Sequence, residues 1–365
     1  YHSTIIPSYL AISQFWNNTY NQIYAANLVL EGVKGSGFTA QQKAQLEGEV
    51  LFVRALHHFY LLQLFGDIPY VQTTDYRLNS VVSRLSSKQV YSLIIADLNA
   101  AAGLLLASYL STDRVRPNLF AAKALLSRVH LYDGNWSEAE KIANEIIGNS
   151  SLFAFENNLS KVFLNTSTET IWQFIPTIVG RNTDEAVTFT FTSGPPPNTA
   201  LSESLMNSFQ ANDLRKLNWT APVTNTAGKT WYHVFKYKEP RATTTSKEYS
   251  IVLRLTEQYL IRAEARANQG NLVGAKEDLN KIRTRAGLQD LLIHTKEEVL
   301  DAVLQERRKE LFVEYGHRFF DLKRMGKLDA VLSAKPGWKT NYHLLPIPET
   351  ELNVNPNLKP QNLGY

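Results

Sequence analysis

Apolar residues recur every three or four positions over residues 9–30: Ile12, Phe15, Trp16, Tyr20, Ile23, Tyr24 and Leu28. That spacing predicts a helix with one buried face. Gly32, Gly35 and Gly37 end it, and Thr39 stands where an N-cap is wanted. The helix that follows runs to about Phe65. From Val50 onward it is apolar most of the way round, through Leu51, Phe52, Val53, Leu56, Phe59, Leu61, Leu62 and Leu64, so it belongs at a centre. Gly66-Asp67-Ile68-Pro69 stops it sharply. Residues 87–106 form another helix, with Val90, Leu93, Ile94, Leu98 and Leu105 on one side.

The chain then repeats itself. Residues 121–147 (AAKALLSRVHLYDGNWSEAEKIANEII) align with 257–282 (EQYLIRAEARANQGNLVGAKEDLNKI), matching Gly134-Asn135 to Gly270-Asn271 and Ala139 to Ala275. Each copy reads as a helix ending at Gly, a short turn, and a second helix offering a small Ala for close approach. Gly suits the left-handed position after a helix. The unit is that of a tetratricopeptide hairpin, and the helices at 40–65 and 296–325 are candidates for further partners.

Between the copies, from about 150 to 250, helical periodicity fades. Residues 171–175 (IWQFI) and 187–191 (VTFTF) alternate as short strands do. Ser193 to Asn198 and Thr243 to Ser246 are loops. After 328 the chain is irregular and rich in proline, with a composition that favours packing over the helices.

The stretch 304–326, LQERRKELFVEYGHRFFDLKRMG, is too charged for an ordinary core helix and too apolar for a solvated one. As one helix it sets Arg307 beside Glu310, Glu314 beside Arg318, and Arg318 beside Asp321. Glu306 and Glu310 share a face, as the two carboxylates of a glycosidase would. Nearby arginines would keep both ionised, however, which favours a structural ion-pair lattice over a proton donor. Buried Arg and Glu occur mainly as pairs, so this segment is expected to dock on a large surface of the same protein.

Composition narrows the chemistry. The 365 residues include 38 basic and 34 acidic side chains, a formal net charge of +4, interspersed without a basic run. No nucleic-acid partner is expected. The chain has no cysteine, which excludes disulfides and thiolate metal sites within it. No apolar run approaches the roughly 18 residues of a membrane helix. His57 and His58 are adjacent and point to different helix faces. The sequence holds no H-E-x-x-H, no G-x-S-x-G, no P-loop and no dinucleotide fingerprint. GVKGSG at 32–37 lies between two helices and reads as a linker. Catalytic residues, metal ligands and cofactors are therefore not expected.

Four segments together resemble the signatures of the SusD/RagB family of outer-membrane nutrient-binding lipoproteins of Bacteroidetes, in that family's order: LLQLFGDIPYV (61–71), EQYLIRAEARANQGNLVGAKEDLNKIRTRAG (257–287), ERRKELFVEYGHRFFDLKRMG (306–326) and LLPIPETELNVNPNLKPQNLGY (344–365). The resemblance implies a mainly α fold, a tetratricopeptide-like scaffold with a loop-rich, partly β non-repeat region. As one domain over 1–365, the scaffold would occupy about 1–147 and 251–330, the ligand-binding region about 150–250, and a C-terminal wrap 331–365. It further implies a cell-surface protein held at the outer membrane by an N-terminal lipid anchor, with the anchoring cysteine upstream of Tyr1. Its partner would be a SusC-like TonB-dependent transporter. The chain is short for the family, so some ligand loops are expected to be reduced.

A sugar presents an apolar C–H face and a rim of hydroxyls. A shallow site for it wants an exposed aromatic ring with polar neighbours. The resemblance points to two places: the loop after GDIPYV, with Asp75, Tyr76 and Arg77, and the non-repeat region, with Trp219, Trp231 and Tyr232. Trp338, in a Pro-Gly turn, is a further candidate. Trp136, Trp172 and Tyr237 are read as structural. The functions in view are glycan binding for delivery to the transporter, capture of peptide or another nutrient, a helical-repeat adaptor for protein partners, and an α-helical glycoside hydrolase.

Overall fold

The computed structural model describes residues 5–365. It is mainly α as expected, 51 % helix with a few short strands. In chain order the helices are α1 (Leu10–Lys34), α2 (Ala40–Phe65), α3 (Tyr76–Asn79), α4 (Ser87–Leu104), α5 (Leu119–Asp133), α6 (Trp136–Ile147), α7 (Asp184–Phe189), α8 (Glu203–Met206), α9 (Leu214–Trp219), α10 (Leu255–Asn268), α11 (Leu272–Arg285), α12 (Lys296–Glu310), α13 (His317–Arg324), α14 (Leu328–Leu332) and α15 (Glu349–Val354). The strands are β1 (Thr170–Phe174), β2 (Thr220–Thr224), β3 (Thr230–Val234) and β4 (Ser250–Arg254). Two compact units result. One comprises Tyr1–Ser108, Pro117–Asp133 and Phe319–Tyr365; the other comprises Tyr109–Arg116 and Gly134–Arg318.

In the first unit α2 is central, packed by α1 and α4, and α4 in turn by α5. Its start and end are where the sequence puts them. Thr39 and Gln42 form a capping box, and Gly66 follows Phe65 with φ +74°. Helix α1 runs through Gly32 to Lys34. Ile12, Trp16 and Ile23 of its expected stripe are buried, whereas Phe15, Tyr24 and Leu28 face outward. Beneath α1 lies a saturated polar cluster. Arg54 donates to both Asp97 oxygens at 2.7 Å and to Asn27 Oδ1 at 2.8 Å, and the Tyr70 hydroxyl donates to Asp97 at 2.6 Å. The irregular tail closes over the helices, as expected. Leu345 N–H donates to the Leu64 carbonyl, Asn362 Nδ2 to the Phe65 carbonyl, and Arg84 to the Pro360 carbonyl.

In the second unit α10 packs against α6, α11 and α12. Gly134 and Gly270 both adopt the left-handed φ anticipated from the repeat, +78° and +86°. Ala139 and Ala275 are fully buried. Arg262 and Arg266 of α10 stitch the stack, reaching Asn144 and Glu140 of α6 and Asp278 of α11. The two hairpin copies are distributed differently: α10 and α11 share this unit, while α5 belongs to the first unit and α6 to the second. Strand β1 forms as expected and pairs antiparallel with β4; β2 pairs with β3. The second expected strand, 187–191, does not form. Thr183 Oγ1 accepts the Ala186 N–H, and Asp184 and Glu185 occupy the electropositive first turn of α7. Cap and charge prevail over a short alternating pattern.

The charged stretch is not one helix. Helix α12 stops at Glu310, and α13 begins at His317. Between them Val313, Tyr315 and Gly316 have φ of +59°, +39° and +75°. The cause is a set of cations from elsewhere in the unit. Glu310 is bound by Arg254 (2.8 Å), Arg285 (2.6 Å) and Arg215 (3.1 Å), not by Arg307. Glu314 is bound by Lys236 (2.5 Å) and Arg254 (2.9 Å), not by Arg318. Lys236 Nζ also takes the freed carbonyls of Glu310 and Phe312, and Arg254 takes that of Glu310. Cations at a helix C-terminus satisfy carbonyls that have no partner within it.

Removing one member of a buried ion cluster strands the others, at a cost of about 3–5 kcal/mol. Arg254→Ala and Glu310→Gln are each expected to lower the unfolding free energy by that amount in urea titrations; a loss below about 1 kcal/mol would contradict the structural role. Burial alone would raise the Glu310 carboxyl, but Arg285, Arg254 and Arg215 override it and hold it well below the usual range. Its contribution is thus complete above the unfolded value of about 4.3 and is lost as pH falls below it. Glu310→Gln should therefore flatten the acid limb of the stability–pH curve. Lys236 acts in the other direction. Burial brings its ammonium down to about 8 despite Glu314, so the unfolded chain holds more protons from there up to about 10.4. Its contribution grows with pH across that window.

Candidate functional site

The buried carboxylates are the first place to look for chemistry, and they offer none for glycoside hydrolysis. Arg215 Nη1 lies 2.5 Å from Glu306 and 3.1 Å from Glu310. A general acid needs a raised pKa, and Glu310 has the opposite. Both side chains are almost wholly buried. The lattice expected from the sequence is present, with partners for Glu310 and Glu314 other than those predicted.

The loop after GDIPYV is built from α1 upward. The Tyr20 hydroxyl donates to the Pro69 carbonyl (2.9 Å), Asn27 Nδ2 to the Val71 carbonyl (3.1 Å), and Thr74 N–H to Glu31 (2.9 Å). These three α1 residues hold segment 69–74 like rungs. His58 adds a fourth tie, its Nε2 accepting the Val71 N–H (3.2 Å) while its ring stacks on Tyr70 at 3.8 Å. Burial takes the His58 imidazole down to about 3, so it stays a neutral acceptor. The loop then turns into α3. Asp75 caps it by accepting the Arg77 N–H, and the Arg77 guanidinium closes a fork on the same carboxylate (3.0 and 2.7 Å). Asp75 and Arg77 thus engage each other. Tyr76 between them is 77 % exposed and its ring is left open.

Beside α3 the first unit opens a cleft of about 510 Å³. Asn17, Asn21 and Tyr24 of α1 line it, with Asn79 and Ser80 at the end of α3 and Glu351 of α15. Sequence reasoning missed these residues by counting Tyr24 in the buried stripe. The signal was there: Asn17, Asn21 and Tyr24 share a face of α1 at spacings of four and three.

The tryptophan candidates fare differently. Trp219 is fully buried, so it cannot be a platform. Its indole N–H donates to the Leu159 carbonyl (2.9 Å), and its ring meets Phe163 edge-on at 5.4 Å, in the core cluster with Tyr237 and Phe312. The Lys236 ammonium sits 5.0 Å from that ring. Trp231 is half-buried on Gly194, where a Cβ would come within 2.3 Å of the indole, with Lys229 5.1 Å over the ring. Tyr232 is its neighbour on β3 and therefore points to the opposite face, along a groove of about 410 Å³ with Leu217, Pro222 and Phe235. The strand does not bring the two rings together. Trp338, also half-buried, donates its N–H to Asp329 (2.8 Å) and meets Tyr342 edge-on. In the second unit a cleft of about 430 Å³ is lined by Phe174, Arg181, Asp184, Phe189 and Tyr315; none of the candidates lines it. Among the described residues, no group of three His, Cys, Asp or Glu is placed to hold a metal, and no helix is long and apolar enough to cross a membrane.

A model of the SusD family matches residues 177–365. The chain belongs to the SusD family. A second model, described as "Starch-binding associating with outer membrane", matches residues 4–131, so SusD-type patterns run from near the first residue to the last. The SusD-like protein P25 of Formosa agariphila is 27 % identical over 96 % of this chain and 78 % of its own length. Among solved SusD structures, a SusD superfamily protein from Parabacteroides distasonis superposes with a TM-score of 0.82 at 25 % identity, covering 99 % of this chain and 87 % of the other. A laminarin-binding SusD-like protein superposes with a TM-score of 0.80 at 23 % identity over the same shares.

The two aromatics make opposite predictions for stability. Trp219→Ala should cost about 3–5 kcal/mol as a large buried ring is lost. Tyr76→Ala should stay within about 0.5 kcal/mol of the parent. Urea titration of both checks this; a strongly destabilised Tyr76→Ala would show that its ring packs on the scaffold.

Proposed function

We propose that this chain is a non-catalytic, cell-surface glycan-binding protein that captures oligosaccharide or polysaccharide and passes it to a SusC-like TonB-dependent outer-membrane transporter. Family membership supports this, with the starch-binding description of the model over 4–131 and the laminarin-binding neighbour. The observation that carries it in this chain is Tyr76: an exposed ring on a loop held rigid by four ties, flanked by a closed Asp75–Arg77 fork. A ring carried on a backbone that is already tied down needs less ordering when a sugar stacks on it than one on a free loop.

In this mechanism the apolar face of a pyranose lies on Tyr76, and neighbouring polar groups bond its hydroxyls. No bond is broken. Capture is weak enough for release, and the transporter carries the energy-dependent step. A lipid anchor at the N-terminus holds the protein at the outer membrane.

Gel-retardation electrophoresis against soluble starch, laminarin, xylan and mannan tests the reading. At least one polymer is expected to retard the parent, and Tyr76→Ala to weaken that retardation about tenfold, or ~1.4 kcal/mol. Hydrolysis of any polymer by the pure protein, or retardation by none of them, would overturn it; the latter with binding of peptides would move the assignment to peptide capture.

A further inference from the structure

We propose that the cleft between α1, α3 and α15 is a second saccharide subsite, taking a neutral pyranose with the Tyr24 ring against its apolar face and Asn17, Asn21 and Glu351 around its hydroxyls. This rests on the glycan-binding function and extends it to residues that neither the loop signature nor the tryptophans indicate.

The cleft is large enough for a small ligand, at about 510 Å³. Its polar groups are unspent. Among the described residues, the side chains of Asn17, Asn21 and Tyr24 make no hydrogen bond within the protein, and the half-buried Glu351 carboxylate has neither a hydrogen-bond donor nor a cation paired with it. Nearly every other buried or half-buried carboxylate described above has an arginine, lysine or backbone N–H. Tyr24 is 48 % exposed, and being one turn from Asn21 it lies beside it on the helix.

The chemistry of the rim selects the ligand class. Each Asn amide offers two donors and an acceptor, and a tyrosine hydroxyl is both. Sugar hydroxyls are likewise both donor and acceptor, so they match every group, with Glu351 accepting one or two of them. An ammonium or guanidinium would use Glu351 and leave the amide donors unmatched. The cleft also continues the first platform. Asn79 lines it, and Tyr76 is three residues earlier on α3, hence its neighbour on that helix. A glycan lying on Tyr76 therefore has a path into the cleft.

The test uses whichever of soluble starch, laminarin, xylan or mannan retards the parent, with Tyr24→Ala, the double variant Asn17→Ala/Asn21→Ala, Glu351→Ala and Glu351→Gln beside Tyr76→Ala. The four altered α1 and α15 positions are exposed or half-buried, and thermal melts check that each variant is folded. Tyr24→Ala and Glu351→Ala should each weaken binding about tenfold, with Glu351→Gln retaining most of the affinity because its amide oxygen still accepts. Parental affinity in Tyr24→Ala and in the double variant, alongside loss in Tyr76→Ala, would overturn the subsite and leave glycan binding intact. Binding abolished by salt and lost equally in Glu351→Gln and Glu351→Ala would overturn it in favour of a cationic ligand. If no polymer binds the parent, both assignments fall.

Discussion

One carboxylate organises the second unit. Glu310, at the end of α12, is held by Arg215 from α9, Arg254 from β4 and Arg285 from α11. Three guanidiniums on one buried carboxylate are tolerable only if other acids balance them, and Asp213, Glu169, Glu306 and Glu314 do so. The network draws four elements to one point, and it dictates the helix break. Were α12 continuous, the carbonyls of Glu310 and Phe312 would be spent within the helix and could not accept from Lys236. The ammonium instead sits under three aromatic rings, 4.0 Å from Phe312 and about 5 Å from Trp219 and Phe163. The left-handed residues that follow are what the chain needs to turn back after such a stop.

This explains a division of labour. Charges in the second-unit core are paired with one another, so they hold a specific structure. In the first unit the analogous device is neutral overall: Arg54, Asp97, Asn27, Tyr70 and His58 saturate one another. That cluster fixes Tyr70 and Val71, and so the start of the loop that presents Tyr76. At the surface of the first unit, by contrast, Asn17, Asn21 and Tyr24 of α1 and Glu351 of α15 keep hydrogen-bonding capacity for a ligand. A binding protein that must release its ligand is served by shallow contacts of this kind on a rigid base.

Local signals were legible in the sequence and long-range ones were not. Helix α2 could be bounded within a residue because its capping box and Gly66 are contiguous with it. Gly134 and Gly270 announced their left-handed turns for the same reason. The break at Glu310 was invisible, since Arg215, Arg254, Arg285 and Lys236 lie far away in sequence and helical spacing supplied plausible nearer partners in Arg307 and Arg318. Strand-like alternation at 187–191 misled because a cap four residues upstream, Thr183, outweighs it. At the site, the aromatic content of the loops was readable but its exposure was not. Trp219 and Tyr76 look alike in a string of letters, yet one fills a core behind Lys236 and the other faces solvent. Tyr24 was hidden by the opposite error, an outward ring inside a stripe that is mostly buried.

The central claim is that buried charges hold the fold while exposed, unpartnered groups hold the ligand. A crystal structure of the chain with a bound oligosaccharide tests it most directly. The account predicts sugar density on the Tyr76 ring, with Glu306 and Glu310 untouched by ligand and still bound by their arginines. Sugar contacting either carboxylate, or lying only in the cleft of Phe174 and Tyr315, would contradict it.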